Sequence, residues 1–546
     1  MNRFASALVA VVLLAGALPT HAGNPPQDAA ALQQRLAARF EADRTGACVL
    51  AAVIDGPRTL RGRYCAGTRQ DGPPALDAAM EIGSVTKTMT AYLVAGLIER
   101  GDWSLDDPIA KHLPAGTVVP SQGERQILLR DLLTHSAGLP ALPPGMAMPD
   151  PADPYAALTE TALLDALGRV QLSRPIGSQV EYSNFGAMLV SLAVARSEDG
   201  GYEGALRDRL FRPLGMQAYV VDAGDRRAAP GHLASGRPAK AWTIAPALAG
   251  AGMVRASLAD MEGYARAALG EGPAPVVARL RVTQQPLAHG FGMNWMRRAF
   301  QGRDIVMHEG ATGGFSSLVA LEPAAHRGVV LLADTALADL GGLGDVGLAL
   351  LGLEVPVQPP RKVEPPSAAQ RRALAGDYQL GPTKLRIWAA GDQLMAQAEG
   401  QSAFELQRDS QGDYYPRNFS ALLTPLTEGA ADAPVQRFAW HQGGGMLEAT
   451  RLGSASSVPT IANPAWRDWA GDYALTSQFS LRVFEKEGRL LVQGSGQPAI
   501  EAQVAGPDRI EIANVAAVVE FERDAEGRVV AAVLRQNGQT MRGPRR

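Results

Sequence analysis

The chain is poor in cysteine and has no lysine- or arginine-rich run. After its first residues it has no apolar stretch long enough to cross a membrane. Each shortage removes a class of function. Lys plus Arg total 52 against 55 for Asp plus Glu, a net charge of −3, so neither nucleic acid nor an anionic membrane surface is an expected partner. No His, Cys, Asp or Glu cluster has metal-ligand spacing. "HEGAT" puts Thr312 where the H-E-x-x-H zinc motif needs histidine, and no metal or cofactor is expected. No G-x-S-x-G elbow surrounds Ser84, which argues against an α/β-hydrolase.

What is present starts with a leader. Arg3 precedes the apolar run Phe4 to Leu18, and Thr20 and Ala22 make a small-residue cleavage site. The sequence therefore reads as a signal peptide over 1–22, with export to a bacterial periplasm or beyond; an uncleaved anchor is the competing reading. The two cysteines, Cys48 and Cys65, flank "VLAAVIDGPRTLRGRY". A turn centred between Gly56 and Pro57 would set them opposite each other across two antiparallel strands. Export permits a disulfide there, with two buried free thiols as the alternative.

A length of 546 residues allows two to four domains. Residues 23–354 mix helical and strand patterns, and the proline-rich stretch 355–372 reads as a linker. Beyond it short alternating strands take over and repeat. "LAGDYQL" from Leu374 returns as "WAGDYAL" from Trp469, and "QLMAQAEGQ" returns as "RLLVQGSGQ". Residues 373–452 and 453–546 are each expected to close a small antiparallel, lipocalin-like β-barrel, with a second linker near 453–464.

The chemistry gathers at "EIGSVTKTMTAYLVAGLIERG". Val85, Met89, Leu93, Leu97 and Ile98 recur at helical spacing, and Gly101 suits the C-terminus. Ser84 would open this helix, with Lys87 one turn on. An ordinary N-cap is the bland reading of Ser84. A desolvated lysine can also act as base to a serine, and a helix start favours an oxyanion. "VEYSNFGAM" sets Tyr182 and Asn184 two apart before a second helix, and His308, Glu309 and Gly310 lead into two alternating strands. A surface tyrosine and a capping asparagine are the bland readings of the first pair.

In this order, S-x-x-K, Y-x-N and H-x-G resemble the serine β-lactamase and penicillin-binding superfamily. The class C β-lactamase-like branch, with its D-aminopeptidase, DD-carboxypeptidase and esterase members, is the nearest likeness. "LRDLLTHSAGLP", "FRPLGM" and "HGFGMNW" match it too. The resemblance implies an α+β fold, an antiparallel sheet flanked by helices with a helical subdomain, of the β-lactamase/transpeptidase-like kind, followed by the two barrels. It implies that Ser84 is acylated, Lys87 assists proton transfer, and Tyr182 is general base and later acid. Asn184 would orient the substrate amide. His308, Gly310 and Ala311 would line the substrate strand, with the N–H groups of Ser84 and Ala311 as oxyanion hole. Where many relatives carry lysine, His308 would be a weaker cation that titrates between pH 5 and 8. His135 reads as structural, and His112, His232 and His441 are scattered.

The expected activity is a secreted serine hydrolase acting on a small molecule or short peptide. It would cleave an amide or peptide bond through an acyl-enzyme, with D-amino-acid peptides favoured. A carboxylesterase, a class C-type β-lactamase and an inactive penicillin-binding-like receptor are the alternatives.

Overall fold

Strand β1 (Cys48–Asp55) pairs with β2 (Arg58–Cys65) on one side and, across nearly three hundred residues, with a strand near residue 330 on the other. The computed structural model describes residues 24–545 except 68–71, 173, 221–226, 427–432, 443–444, 453–464, 476–479, 487–488, 496–499, 513–516 and 537–538. The expected leader over 1–22 and the expected second linker near 453–464 lie outside the described residues. With β3 (Met296–Phe300), β4 (Arg303–Ala311), β5 (Ser316–Glu322) and β6 (Arg327–Ala333), these strands form one sheet in the order β2-β1-β6-β5-β4-β3. All five pairings are antiparallel. Cys48 stands opposite Cys65 in the register and the two form a disulfide, as the turn position predicts.

The central strands are apolar along their whole length because both faces are covered. Leu50, Ala52, Ile54, Val330 and Leu332 face one core, whereas Val49, Ala51, Val53, Val329 and Leu331 face another. Helices α1 (Ala29–Phe40) and α5 (Gly344–Leu350) bury Leu32, Leu36, Phe40 and Val346 in the second core. The first core takes α2 (Thr86–Glu99), α3 (Asn184–Ser197) and α4 (Leu258–Ala268), with further helices at Leu129–Leu133, Glu160–Gly168 and Gly201–Leu206.

Helix α2 is buried from Thr86 to Leu97, without a solvent face there. Its threonines tolerate burial because each finds a partner: Thr88 with the Tyr264 hydroxyl at 2.8 Å, Thr90 with the Tyr202 hydroxyl at 2.7 Å. Gly101, at φ +79°, ends the helix as its sequence position suggests.

The stretch 355–372 is pinned to the sheet domain. The Arg361 N–H donates to Asp43 Oδ2 at 2.7 Å, and helix Ala368–Leu374 closes the stretch. Eight strands from Gly376–Leu380 to Gly445–Leu452 then close a barrel, the first pairing with the last. Tyr415 and Leu422 of this barrel join the same core as Leu32 and Val49. Buried Arg44 bonds Asp409 Oδ2 at 2.9 Å and lies over the Tyr415 ring at 3.5 Å. One compact unit accordingly runs to residue 452, and a second begins at 453.

In the second unit the repeat does not give a single closed ladder among the described residues. A four-stranded sheet from Gly471–Ala474 to Ile500–Glu501 is followed by a five-stranded one from Gln503–Gly506 to Gln539–Pro544. The break falls at buried Ala502, and the two sheets share one core. An isolated bridge joins Tyr473 to Arg545. The repeated "AGDY" has the same structural use in both copies. The Tyr378 hydroxyl donates to Leu374 O at 2.8 Å, and the Tyr473 hydroxyl to Trp469 O at 2.6 Å. Arg451 donates to Ala375 O and Arg545 to Ala470 O. A Cβ on Gly376 would stand 2.1 Å from Arg451 Nη1, and one on Gly471 2.8 Å from Arg545 Nε, so a larger residue in either copy would make the arginine shift from its present place.

Candidate active site

Ser84 sits on a 3₁₀ turn, Gly83–Val85, that feeds α2. The cap position of α2 is Val85, without a side-chain cap bond, so Ser84 does not have the capping role its position allowed. Strand β4 crosses this turn at very short range. A Cβ on Gly83 would come within 2.5 Å of Ala311 N, and one on Gly310 within 2.0 Å of Ile82 O. The Ser317 hydroxyl fixes the same Ile82 carbonyl at 2.7 Å. Glycines 83 and 310 therefore let the two backbones touch, which makes the amides of Ser84 and Ala311 neighbours. Gly310 acts as packing behind the site and does not line it.

Lys87 is fully buried one turn on from Ser84. Its Nζ lies 2.9 Å from Ser84 Oγ, 2.7 Å from Asn184 Oδ1 and 2.5 Å from Ala251 O. The amide and backbone oxygens can only accept, so they take two N–H groups. A neutral amine then has its lone pair left for the Ser84 hydroxyl. Burial favours that neutral form and brings the Lys87 pKa down to about 7.

Tyr182 precedes α3, whose cap is Ser183. The residue is 38% exposed, yet its hydroxyl is enclosed and hydrogen-bonds Ser84. Burial pushes this phenol well above its ordinary range, and the Ser84 bond offsets only part of that. Lys87, not Tyr182, is thus the group electrostatically ready to accept a proton. Two further groups hold the phenol: the His135 ring lies tilted against it at 4.3 Å, and Lys87 Nζ lies 4.9 Å from its centroid. The His135 Nδ1 accepts from Ser183 N–H at 3.2 Å, the structural role read from sequence.

His308 differs from its expectation as a cation titrating between pH 5 and 8. It is 1% exposed, and burial, reinforced by nearby Lys87, lowers its pKa to about 3. Its Nδ1–H donates to Glu309 O at 2.6 Å, which leaves Nε2 as a lone-pair acceptor without a partner, 6.2 Å ring to ring from Tyr182.

A narrow, partly open space lies over Ser84. Ser84, Asn184 and Ala311 line it together with Tyr155, Trp242 and Met253. The last three were not found from sequence. Tyr155 receives a 3.3 Å bond from Asn184 Nδ2 and packs edge-on against Trp242 at 5.5 Å. Thr243 anchors the Trp242 loop on Asp153 through bonds of 2.8 and 2.7 Å. A tryptophan in the polar loop "AKAWT" was the only signal available for it. Cys48 and Cys65 take no part in the site. Among the described residues no His, Cys, Asp or Glu group could hold a metal ion.

The Beta-lactamase family model matches residues 33–345, more than half of the chain. The chain belongs to the beta-lactamase family. Over 221 residues this beta-lactamase-family chain is 32% identical to the D-alanyl-D-alanine-carboxypeptidase/endopeptidase AmpH of Escherichia coli K12, covering 39% of the chain and 56% of AmpH. The chain thus spans little more than half the length of that relative. It is 28% identical over 383 residues to Penicillin-binding protein 4 of Amycolatopsis lactamdurans, covering 65% of the chain and 98% of that protein. Its fold is similar to the beta-lactamase/D-alanine carboxypeptidase from Yersinia pestis, with a TM-score of 0.50 at 22% identity, over 60% of this chain and 99% of that one. Members of this family are serine hydrolases, and the enzyme is related at modest identity to a D-alanyl-D-alanine carboxypeptidase/endopeptidase and to a penicillin-binding protein.

Proposed function

We propose that the enzyme cleaves a small amide or peptide bond through an acyl-enzyme on Ser84, with D-amino-acid peptides as the favoured substrates. The observation that carries this reading is the arrangement of Lys87: two obligate acceptors fix its N–H groups, and its lone pair faces Ser84 Oγ at 2.9 Å. Lys87 takes the hydroxyl proton as Ser84 attacks the carbonyl carbon. The N–H groups of Ser84 and Ala311 hold the developing oxyanion. Tyr182, bonded to Ser84, relays that proton from Lys87 to the leaving nitrogen while staying a neutral phenol, and in deacylation the proton of the incoming water returns by the same route to the Ser84 oxygen. Asn184 aligns the substrate amide. The similarity to AmpH and to Penicillin-binding protein 4 supports the choice of D-amino-acid peptides. Export through the leader over 1–22 places the enzyme where such peptides occur. The catalytic domain is taken as residues 23–354, with the two C-terminal repeats appended. No helix among the described residues is long and apolar enough to span a membrane.

A fluorophosphonate probe tests the reading before any substrate is known. It should label Ser84 in the wild-type protein, fail on Ser84→Ala, and react at least a hundredfold more slowly with Lys87→Ala at neutral pH. Ordinary turnover by a folded Ser84→Ala variant would sink the mechanism.

A further inference from the structure

Among the described residues, the charged or titratable side chains Lys87, His308, Arg255, Lys240 and Asp153 around the cleft each already hold a partner within the protein. Lys87 directs its N–H groups at Asn184 Oδ1 and Ala251 O. The His308 ring is buried and tied to the Glu309 carbonyl. Beneath Trp242, Arg255 pairs with Glu81 at 3.1 Å and also donates to Trp242 O. Two residues before Trp242, Lys240 makes a surface pair with Asp150 at 2.6 Å, and Asp153 accepts both polar groups of Thr243. Among the described residues lining the cleft none is charged; its walls are Tyr155, Trp242, Met188 and Met253 around Ser84.

We propose that this cleft accepts an acyl donor with an apolar side chain and no charge beside the scissile carbonyl. In peptide terms that is an internal or end-blocked residue, not one carrying a free α-ammonium or a carboxylate at that place. This rests on the acyl-enzyme reading for Ser84 and narrows its substrate class. A terminal ammonium entering here would be stripped of water with no carboxylate to receive it. An incoming carboxylate would meet no unpaired guanidinium or ammonium, and His308 presents a lone pair, not a proton. An unpaired charge in such a place is strongly disfavoured. The aromatic edge of Tyr155 against Trp242, 5.5 Å apart, and the two methionines instead offer polarizable apolar surface for a side chain.

Three 4-nitrophenyl esters test this on the full chain at pH 7: N-acetyl-D-leucine (uncharged), D-leucine (free ammonium) and N-acetyl-D-aspartate α-ester (carboxylate). The activated leaving group removes any demand for amide-bond cleavage. Fluorophosphonate labelling is measured first, and absence of label on Ser84 overturns the acyl-enzyme reading itself. With label present, kcat/KM for the acetyl-leucine ester should exceed each charged ester by at least thirtyfold. A charged ester used equally well or better overturns the neutral-cleft proposal alone. So does a labelled enzyme that fails to turn over the uncharged ester. Met253→Asp supplies a second arm: a carboxylate in the wall should move the ratio at least tenfold toward D-leucine ester. A folded, labelled variant with an unchanged ratio also overturns the proposal.

Discussion

Gly310 passes Ile82 so closely that a Cβ on it would stand 2.0 Å from the Ile82 carbonyl oxygen. That contact sets the distance between strand β4 and the turn carrying Ser84. Gly310→Ala must push the strand away or rotate the turn. Overpacking of this kind costs about 1–3 kcal/mol, and a displacement near 1 Å at the reacting groups costs on the order of a hundredfold in rate. Urea unfolding and fluorophosphonate labelling should show both losses together. A variant with wild-type labelling would mean that β4 does not set the position of Ser84.

The pH profile follows from Lys87. It accepts the serine proton only when neutral, and its pKa is about 7. Below that value kcat/KM should fall roughly tenfold per pH unit, and above it should level off. His308, at about 3, adds no limb between pH 5 and 8, so His308→Asn should keep the same inflection in whatever activity it retains. The sign for stability follows as well. The folded value lies below the unfolded one, near 10.4, so the unfolded chain binds more protons between the two. Stability contributed at this site therefore rises with pH from about 7 upward. An acid limb near pH 5 would exclude Lys87 as the acceptor.

The Cys48–Cys65 bridge closes a loop with a sequence separation of 17 at the start of the sheet. Chain-entropy reasoning assigns it about 3 kcal/mol. Cys48→Ala/Cys65→Ala should lower the denaturation midpoint accordingly while leaving the labelling rate of the folded protein unchanged, because neither cysteine reaches the cleft. Intact mass without reductant should be two hydrogen atoms lighter than the dithiol form.

Asp409 of the barrel is fully buried between Arg44 and Arg361, at 2.9 and 3.1 Å. Asp409→Ala removes the carboxylate partner of buried Arg44, while Arg361 keeps Asp413 at 2.6 Å, and should cost about 3 kcal/mol. Adding Arg44→Ala to it should cost less than the sum of the two single changes. Strict additivity in a thermal or urea double-mutant cycle would show that the pair does not couple barrel to sheet.

Local pattern by itself determined much of this protein. The order of S-x-x-K, Y-x-N and H-x-G, the register of the two cysteines around a Gly-Pro turn, and the doubled "AGDY" are all short-range signals. Turn chemistry, helical spacing and repetition survive in one dimension. Four matters were decided only by the tertiary structure. Helix α2 reads as amphipathic, but Tyr202 and Tyr264, more than a hundred residues away, satisfy its threonines and allow it to be buried. Tyr155 and Trp242 come to Ser84 from loops whose sequences carry no periodicity, held by Asp153 and Asn184. The stretch 355–372 has the composition of a free linker, yet Asp43 and Arg44 bind it to the sheet. Above all, the sequence names Lys87 and His308 but not their charge. Protonation depends on how much water and how many opposite charges surround a group, and those are set by long-range packing. Burial holds His308 neutral and brings Lys87 down to about 7, where its neutral form is available, and so turns a site expected to read charge into one lined by aromatic and methionine side chains.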